Sequence, residues 1–123
     1  MRAIDLYAGI GGWSLGLQMA GIQVEHSFER WPIAVDTYNA NLSSKARPVD
    51  LRSFNLNTLP KGISVVVGSP PCTEFSLANR GGNGNVAEGV KDVVRFLEIV
   101  RHIQPDFWLM ENVPRIAELI REG

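Results

Sequence analysis

The chain has 123 residues, 45% of them hydrophobic, enough for one folded domain with a core of its own. Its 12 basic and 13 acidic side chains leave a formal charge of −1, without the basic excess by which a self-sufficient nucleic-acid binder displaces phosphate counterions. A single cysteine excludes an internal disulfide, and His26 and His102 offer no zinc-like spacing, so no metal is expected.

The longest apolar runs, such as Ile63 to Gly68, cover only a few residues, and Arg2 and Asp5 place charges where a signal peptide would be apolar. A soluble, cytoplasmic protein is expected. Ala3 to Ala8 reads as a strand ending in glycines, and Trp13 to Ala20 follows at helical spacing with Gly21 closing it. Ile22 to Phe28 reads as a second strand that delivers Glu29 at its end. Pro32 then opens a helix whose packed face is expected to hold Ile33, Ala34, Thr37 and Tyr38. Ser43 to Pro48 reads as a polar connection before a third short strand around Val49.

Ile63 to Val67 is a β-branched run stopped by Gly68, the pattern of a strand buried on both faces, and Pro70-Pro71 forbids its continuation. From Leu77 to Gly89 the chain is rich in Gly and Asn, which predicts a mobile loop. Val90, Val93, Val94, Leu97, Val100 and Ile103 predict the buried stripe of a long amphipathic helix. Phe107 to Met110 gives a fifth strand, and Pro114 opens a last helix running to Gly123. Strands alternating with helices imply an α/β fold, a parallel sheet covered on both faces that binds ligands beyond the carboxyl ends of its strands. Gly9, Glu29, Asp50, Cys72 and Glu111 all fall at such ends.

Gly9-Ile10-Gly11-Gly12 turns the backbone sharply and presents free amides at a helix N-terminus, which serves a dinucleotide site, a methyl-donor site or a purely structural turn alike. Glu29 reads either as an acceptor for two ribose hydroxyls or as a solvated glutamate. Cys72, held just past a rigid proline turn, reads either as a nucleophile or as a small buried hydrophobe. Glu111 follows four large apolar residues, a setting suited to a proton donor, and reads equally as an acid ahead of the helix that Pro114 opens.

Asp5-Leu6-Tyr7-Ala8-Gly9-Ile10-Gly11-Gly12, Ser69-Pro70-Pro71-Cys72-Thr73-Glu74-Phe75-Ser76 and Glu111-Asn112-Val113 resemble three signature motifs of cytosine-C5 methyltransferases, in the family's order and at similar spacing. Ala34, Tyr38 and Asn41, and the acidic Val49-Asp50-Leu51, resemble the family's cofactor-pocket motifs. The resemblance covers essentially the whole chain. It departs from the family pattern at Arg30, which stands in place of an aromatic residue with Trp31 one position later, and at Thr73, which replaces a glutamine.

The resemblance implies a Rossmann-like S-adenosylmethionine-dependent methyltransferase fold, mostly parallel and ending after the fifth strand, and a bound S-adenosylmethionine with no metal. Gly9, Gly11, Gly12 and Tyr7 would lie near the methionine end of that cofactor. Glu29 would hold the ribose, Asp50 and Leu51 would meet the adenine, with Arg30 or Trp31 against its ring, and Pro71 would lie between cofactor and base. Cys72 would attack C6 of a flipped-out cytosine and Glu111 would assist at ring N3. Residues 1–123 would then form the N-terminal part of a catalytic domain of bacterial, archaeal or phage origin, as in restriction-modification systems, with the target-recognition region absent. The implied partners are DNA, with RNA such as tRNA as the alternative substrate, and a C-terminal part or complementing chain. A non-catalytic or split-enzyme fragment, associating through an exposed sheet edge, is the competing expectation.

Overall fold

The computed structural model describes residues 1–71, 86–112 and Arg121, with the backbone alone for 86–89. Five strands, β1 (Arg2–Leu6), β2 (Gln23–Glu29), β3 (Ala46–Pro48), β4 (Val65–Gly68) and β5 (Phe107–Met110), form one sheet in the order β3-β2-β1-β4-β5. Every neighbouring pair is parallel. Helices α1 (Gly12–Met19), α2 (Pro32–Asn41) and α3 (Val86–Ile103) connect them, with a 3-10 turn at Leu56–Thr58.

Paired residues of a parallel ladder share a face, so the register assigns the two cores. Ile4 pairs with Val66 and Val66 with Trp108, and this face packs with Leu6, Phe28, Phe96 and Ile99 under α3. Ala3, Val65 and Val67 face the other way, against Leu17 of α1, while Ala46 packs with Val35 and Tyr38 of α2. All four residues of β4 are buried, as the β-branched run predicts for a central parallel strand.

Gly21, at φ 78, lets the chain reverse after α1, a conformation that costs an L side chain energy. One irregularity between Ala3 and Ile4 shifts the β1–β2 register by one residue, so that Val24 joins one core and His26 and Phe28 turn toward the other.

Four expectations are corrected. The third strand occupies Ala46–Pro48, ahead of Val49. It lies at the sheet edge, where Pro48 has no outer neighbour to supply with a donor. The packed face of α2 is Ala34, Val35 and Tyr38, with Ile33 63% exposed, because the sheet lies on the side of Val35. On α3 the expected Val93, Val100 and Ile103 do face the core, joined by Asp92, Phe96 and Ile99, whereas Val94 and Leu97 point outward. Hydrophobic spacing alone did not separate these rows, since apolar residues occupy both. Finally, residues 86–89 begin α3 instead of ending a loop. The remainder of the expected loop, Cys72, and all of the last helix except Arg121 lie outside the described residues. No helix among the described residues is long and apolar enough to cross a membrane.

Candidate active site

Strand order reverses at β1, which has β2 on one side and β4 on the other, so the connections leaving β1 and β4 diverge and open a crevice above their carboxyl ends. The segments flanking that crevice are Tyr7 to Gly12 after β1 and Ser69 to Pro71 after β4. Side chains tie the strand ends together across the sheet. Glu29, the last residue of β2, accepts the Gly9 N–H through Oε1 at 3.1 Å and the Trp31 N–H through Oε2 at 2.7 Å. Trp13 Nε1 of α1 donates to Ser69 Oγ at 3.0 Å, and Asn112 Nδ2 donates to the Pro70 carbonyl at 3.2 Å. The Glu111 N–H donates to the Gly68 carbonyl at 3.0 Å. Gly9, Glu29, Pro71 and Glu111 therefore share one rim, as expected, with Asp50 beyond β3.

The three glycines of the first turn do different things. A Cβ on Gly9 or Gly12 would meet no atom of the described residues within 4 Å. Gly11, at φ 103, is buried, and a Cβ there would collide with Leu42 and with Tyr38 Cδ2 at 2.9 Å, so its missing side chain serves the packing of α2. Among the described residues no side chain caps the N-terminus of α1. An uncapped helix end beside open glycines, with a half-buried carboxylate on the neighbouring strand, suits a ligand carrying a carboxylate and a diol.

Under this turn runs a buried polar chain. Ser14 Oγ donates to Asp5 Oδ2 at 2.7 Å, and the Tyr38 hydroxyl lies 2.8 Å from Ser14 and 2.6 Å from both Ser27 and Ser44. Asp5 Oδ1 has no partner among the described residues. Burial pushes the Asp5 carboxyl up to about 7, against the opposing pull of Ser14, and the Glu29 charge adds to the rise.

Tyr7, at φ 52, turns its half-buried side chain toward α3, where its hydroxyl lies 3.3 Å from both the carbonyl and Oδ1 of Asp92. Burial first, and the Asp92 charge second, raise the Tyr7 hydroxyl well above its ordinary range, so it stays a donor. Arg30 Nη1 lies 3.8 Å from Asp50 Oδ2, beside the Asp50 turn, whereas Trp31 is 59% exposed. Leu51 is buried in the core, whereas Asp50, Pro71 and Glu111 are exposed.

Reading the sequence missed Asp92 and Arg52, an ion pair with Arg52 Nε 3.0 Å from Oδ1 and Nη2 2.9 Å from Oδ2 of Asp92. A charged residue on a helix reads as solvent-facing. The available signal was its place one turn before Phe96, on the same side of α3.

A five-stranded parallel sheet in the order β3-β2-β1-β4-β5, with helices between its strands, defines a Rossmann-like α/β fold. The model of the C-5 cytosine-specific DNA methylase family matches residues 1–121. The chain belongs to that family. It is 35% identical to the type II methyltransferase M.HindV of Haemophilus influenzae, over 96% of this chain and 39% of that protein. It is 36% identical to M.HgiGI of Herpetosiphon aurantiacus, a type II methyltransferase of which it covers 92%. Among solved structures it resembles a prophage-encoded protein of E. coli described as a DNA modification methyltransferase (TM-score 0.75, 30% identity, 94% of this chain, 33% of that one). The Dnmt2 methyltransferase of S. pombe shares the fold (TM-score 0.67, 23% identity, 99% of this chain, 39% of that one). The chain thus spans well under half the length of M.HindV.

Proposed function

We propose that this chain is the cofactor-binding and catalytic part of an enzyme that methylates C5 of cytosine in DNA through a covalent adduct with Cys72. The single observation that carries the reading is the hydrogen bond from Asn112 to Pro70. It joins the Glu111-Asn112 motif to the Pro70-Pro71 turn immediately before Cys72, at the strand ends next to the glycine turn.

S-adenosylmethionine, when bound, would supply an electrophilic methyl group, its sulfur keeping the electrons of the broken S–C bond and leaving as S-adenosylhomocysteine. The open glycines Gly9 and Gly12 and the uncapped start of α1 fit its methionine end, and Glu29 fits its ribose. Both Glu29 oxygens already accept an N–H, which fixes the carboxylate and leaves further lone pairs for two hydroxyls. Asp50 would hold the adenine amino group, with Leu51, buried in the core, anchoring that turn.

C5 of cytosine is a poor nucleophile. The Cys72 thiolate adds to C6, forming an S–C bond and an electron-rich C5. Glu111 donates a proton or hydrogen bond at N3, where charge gathers as sulfur adds. Once C5 has taken the methyl group, a base removes the C5 proton and the electrons of that C–H bond reform the ring double bond, expelling Cys72. A stacked base is out of reach of this chemistry, so the cytosine is flipped out of the duplex. Target recognition, and the basic excess that the formal charge of −1 does not supply, belong to polypeptide corresponding to the remainder of relatives such as M.HindV. The exposure of Phe107, Trp108 and Leu109 on β5 is consistent with such a neighbour.

The test uses labelled cofactor and DNA carrying 5-fluorocytosine, with the chain alone and with a complementing C-terminal piece. A covalent protein–DNA adduct that disappears in Cys72→Ala is expected. A complemented chain that binds neither cofactor nor cytosine overturns the reading.

A further inference from the structure

One turn of α3 is docked on loops that α3 does not border in sequence. Asp92, 7% exposed, receives the bidentate guanidinium of Arg52 and lies within 3.3 Å of the Tyr7 hydroxyl. Arg95 donates from Nε to the Leu51 carbonyl at 2.7 Å and from Nη2 to the Phe54 carbonyl at 2.6 Å. Phe96, fully buried, lies where a Cβ on Gly68 would meet its Cε2 at 2.8 Å.

Charged side chains this buried persist when paired, and the planar fork of arginine suits two carbonyls at fixed spacing better than an ammonium does. The Asp50 turn is consequently held from two sides. Asp50 Oδ1 accepts the Arg52 N–H at 3.0 Å, the Arg52 guanidinium is fixed by Asp92, and the next carbonyl along, that of Leu51, is fixed by Arg95.

We propose that Asp92 and Arg95 are positioning residues that set Asp50 against the adenine ring without touching the cofactor themselves. The inference rests on the reading above in which Asp50 meets the adenine amino group. A helix reaching the Asp50 turn through three hydrogen-bonded contacts fixes where that carboxylate stands. Loosening them lets the carboxylate drift, while the ribose and methionine contacts through Glu29 and the glycine turn stay in place.

The test is calorimetric binding, by the chain together with its complementing C-terminal piece, of S-adenosylhomocysteine and of its hypoxanthine counterpart, in which a carbonyl replaces the amino group. The unaltered chain prefers adenine. Arg95→Lys and Asp92→Asn each reduce that preference by roughly tenfold, the value of one well-placed hydrogen bond to a charged group, while affinity for the hypoxanthine ligand changes by less than about twofold. Neither substitution adds anything in an Asp50→Asn background, because the effect acts through that carboxylate. Circular dichroism checks folding, and Arg52→Lys, which keeps the charge and the backbone N–H but loses the fork held by Asp92, carries the test with a smaller shift if both variants unfold. Preference unchanged in the variants, or an effect that persists without Asp50, overturns the inference alone. An unaltered chain that binds both ligands equally overturns it together with the role of Asp50. A chain that binds neither removes the function reading as well.

Discussion

Asn112 donates its side-chain amide to the carbonyl of Pro70 across 3.2 Å, fastening the end of β5 to the proline pair at the end of β4. With the Glu111 N–H on the Gly68 carbonyl, it holds the Glu111-Asn112 pair against the Gly68 to Pro70 segment. Asn112→Ala removes the donor and leaves a carbonyl to water, so cofactor affinity stays within about twofold while methyl transfer by the complemented protein falls by roughly tenfold or more. Asn112→Asp sets a carboxylate against that carbonyl and falls further. Single-turnover transfer measured beside calorimetry separates the two quantities. Equal loss in both would show that the link serves the fold at large.

The glycines of the first turn separate packing from binding. Gly11→Ala forces a methyl group into Tyr38 and Leu42 at a positive φ, and costs on the order of 2–4 kcal/mol of stability. Gly12→Ala meets nothing within 4 Å and needs no unusual backbone, so the fold keeps its stability to within about 0.5 kcal/mol. Cofactor affinity then drops in Gly12→Ala although its fold is intact, because the added methyl occupies the space meant for ligand. Denaturant melts and calorimetry on both variants check this, and unchanged affinity in Gly12→Ala removes that glycine from the binding site.

Much of this architecture was legible because β-branched runs and glycine stops dictate a buried parallel strand at Val65–Gly68, and because Pro32 and Gly21 mark helix boundaries directly. What was not legible depends on where the sheet lies relative to each helix. Val94 and Leu97 are as apolar as Ile99, and only the tertiary direction of the sheet buries Phe96 and Ile99 instead. Ala46–Pro48 carries an arginine and a proline, so no alternation announced an edge strand. The Asp92–Arg52 pair joins residues 40 apart, beyond any local pattern. For the site, the motifs brought Glu29, Gly9 and Glu111 to one rim, whereas the division of labour between Gly11 and its neighbours needed α2 in place.

Glu29 bridges two backbone amides, and that double duty makes it sensitive to small changes. Glu29→Gln keeps the size but turns an NH2 toward one of the two N–H donors, leaving it unsatisfied at a cost of about 1–3 kcal/mol. Glu29→Asp is too short to reach both Gly9 and Trp31. Each variant is expected to bind S-adenosylhomocysteine roughly tenfold to a hundredfold more weakly, with Gln the weaker binder because it also loses an acceptor for a ribose hydroxyl. Titration calorimetry decides. Full affinity in Glu29→Gln would leave the carboxylate with a purely structural role.

The buried Asp5 carboxyl makes stability depend on pH with a definite sign. Its value rises from 3.8 in an open chain to about 7 in the fold, chiefly through burial. The groups packed around it are Ser14 of α1, with Ser27 of β2 and Tyr38 of α2 behind that hydroxyl, and the Glu29 charge beyond; none is a cation that would hold it ionised. Between those two values the folded state retains a proton that the unfolded chain releases, so the stability of the fold falls as pH rises across this window and levels off above it. The slope approaches about 1.4 kcal/mol per pH unit and the total is on the order of 4 kcal/mol. Asp5→Asn keeps an acceptor for Ser14 and cannot ionise. Its stability relative to the unaltered chain is therefore expected to improve steadily from pH 5 to pH 7 and to stay constant above pH 8. Urea denaturation of both proteins at each pH isolates this group, since every other titration cancels in the difference. A difference that does not change with pH would mean that Asp5 is ionised in the fold throughout, with a water or another donor satisfying the oxygen that has no partner among the described residues.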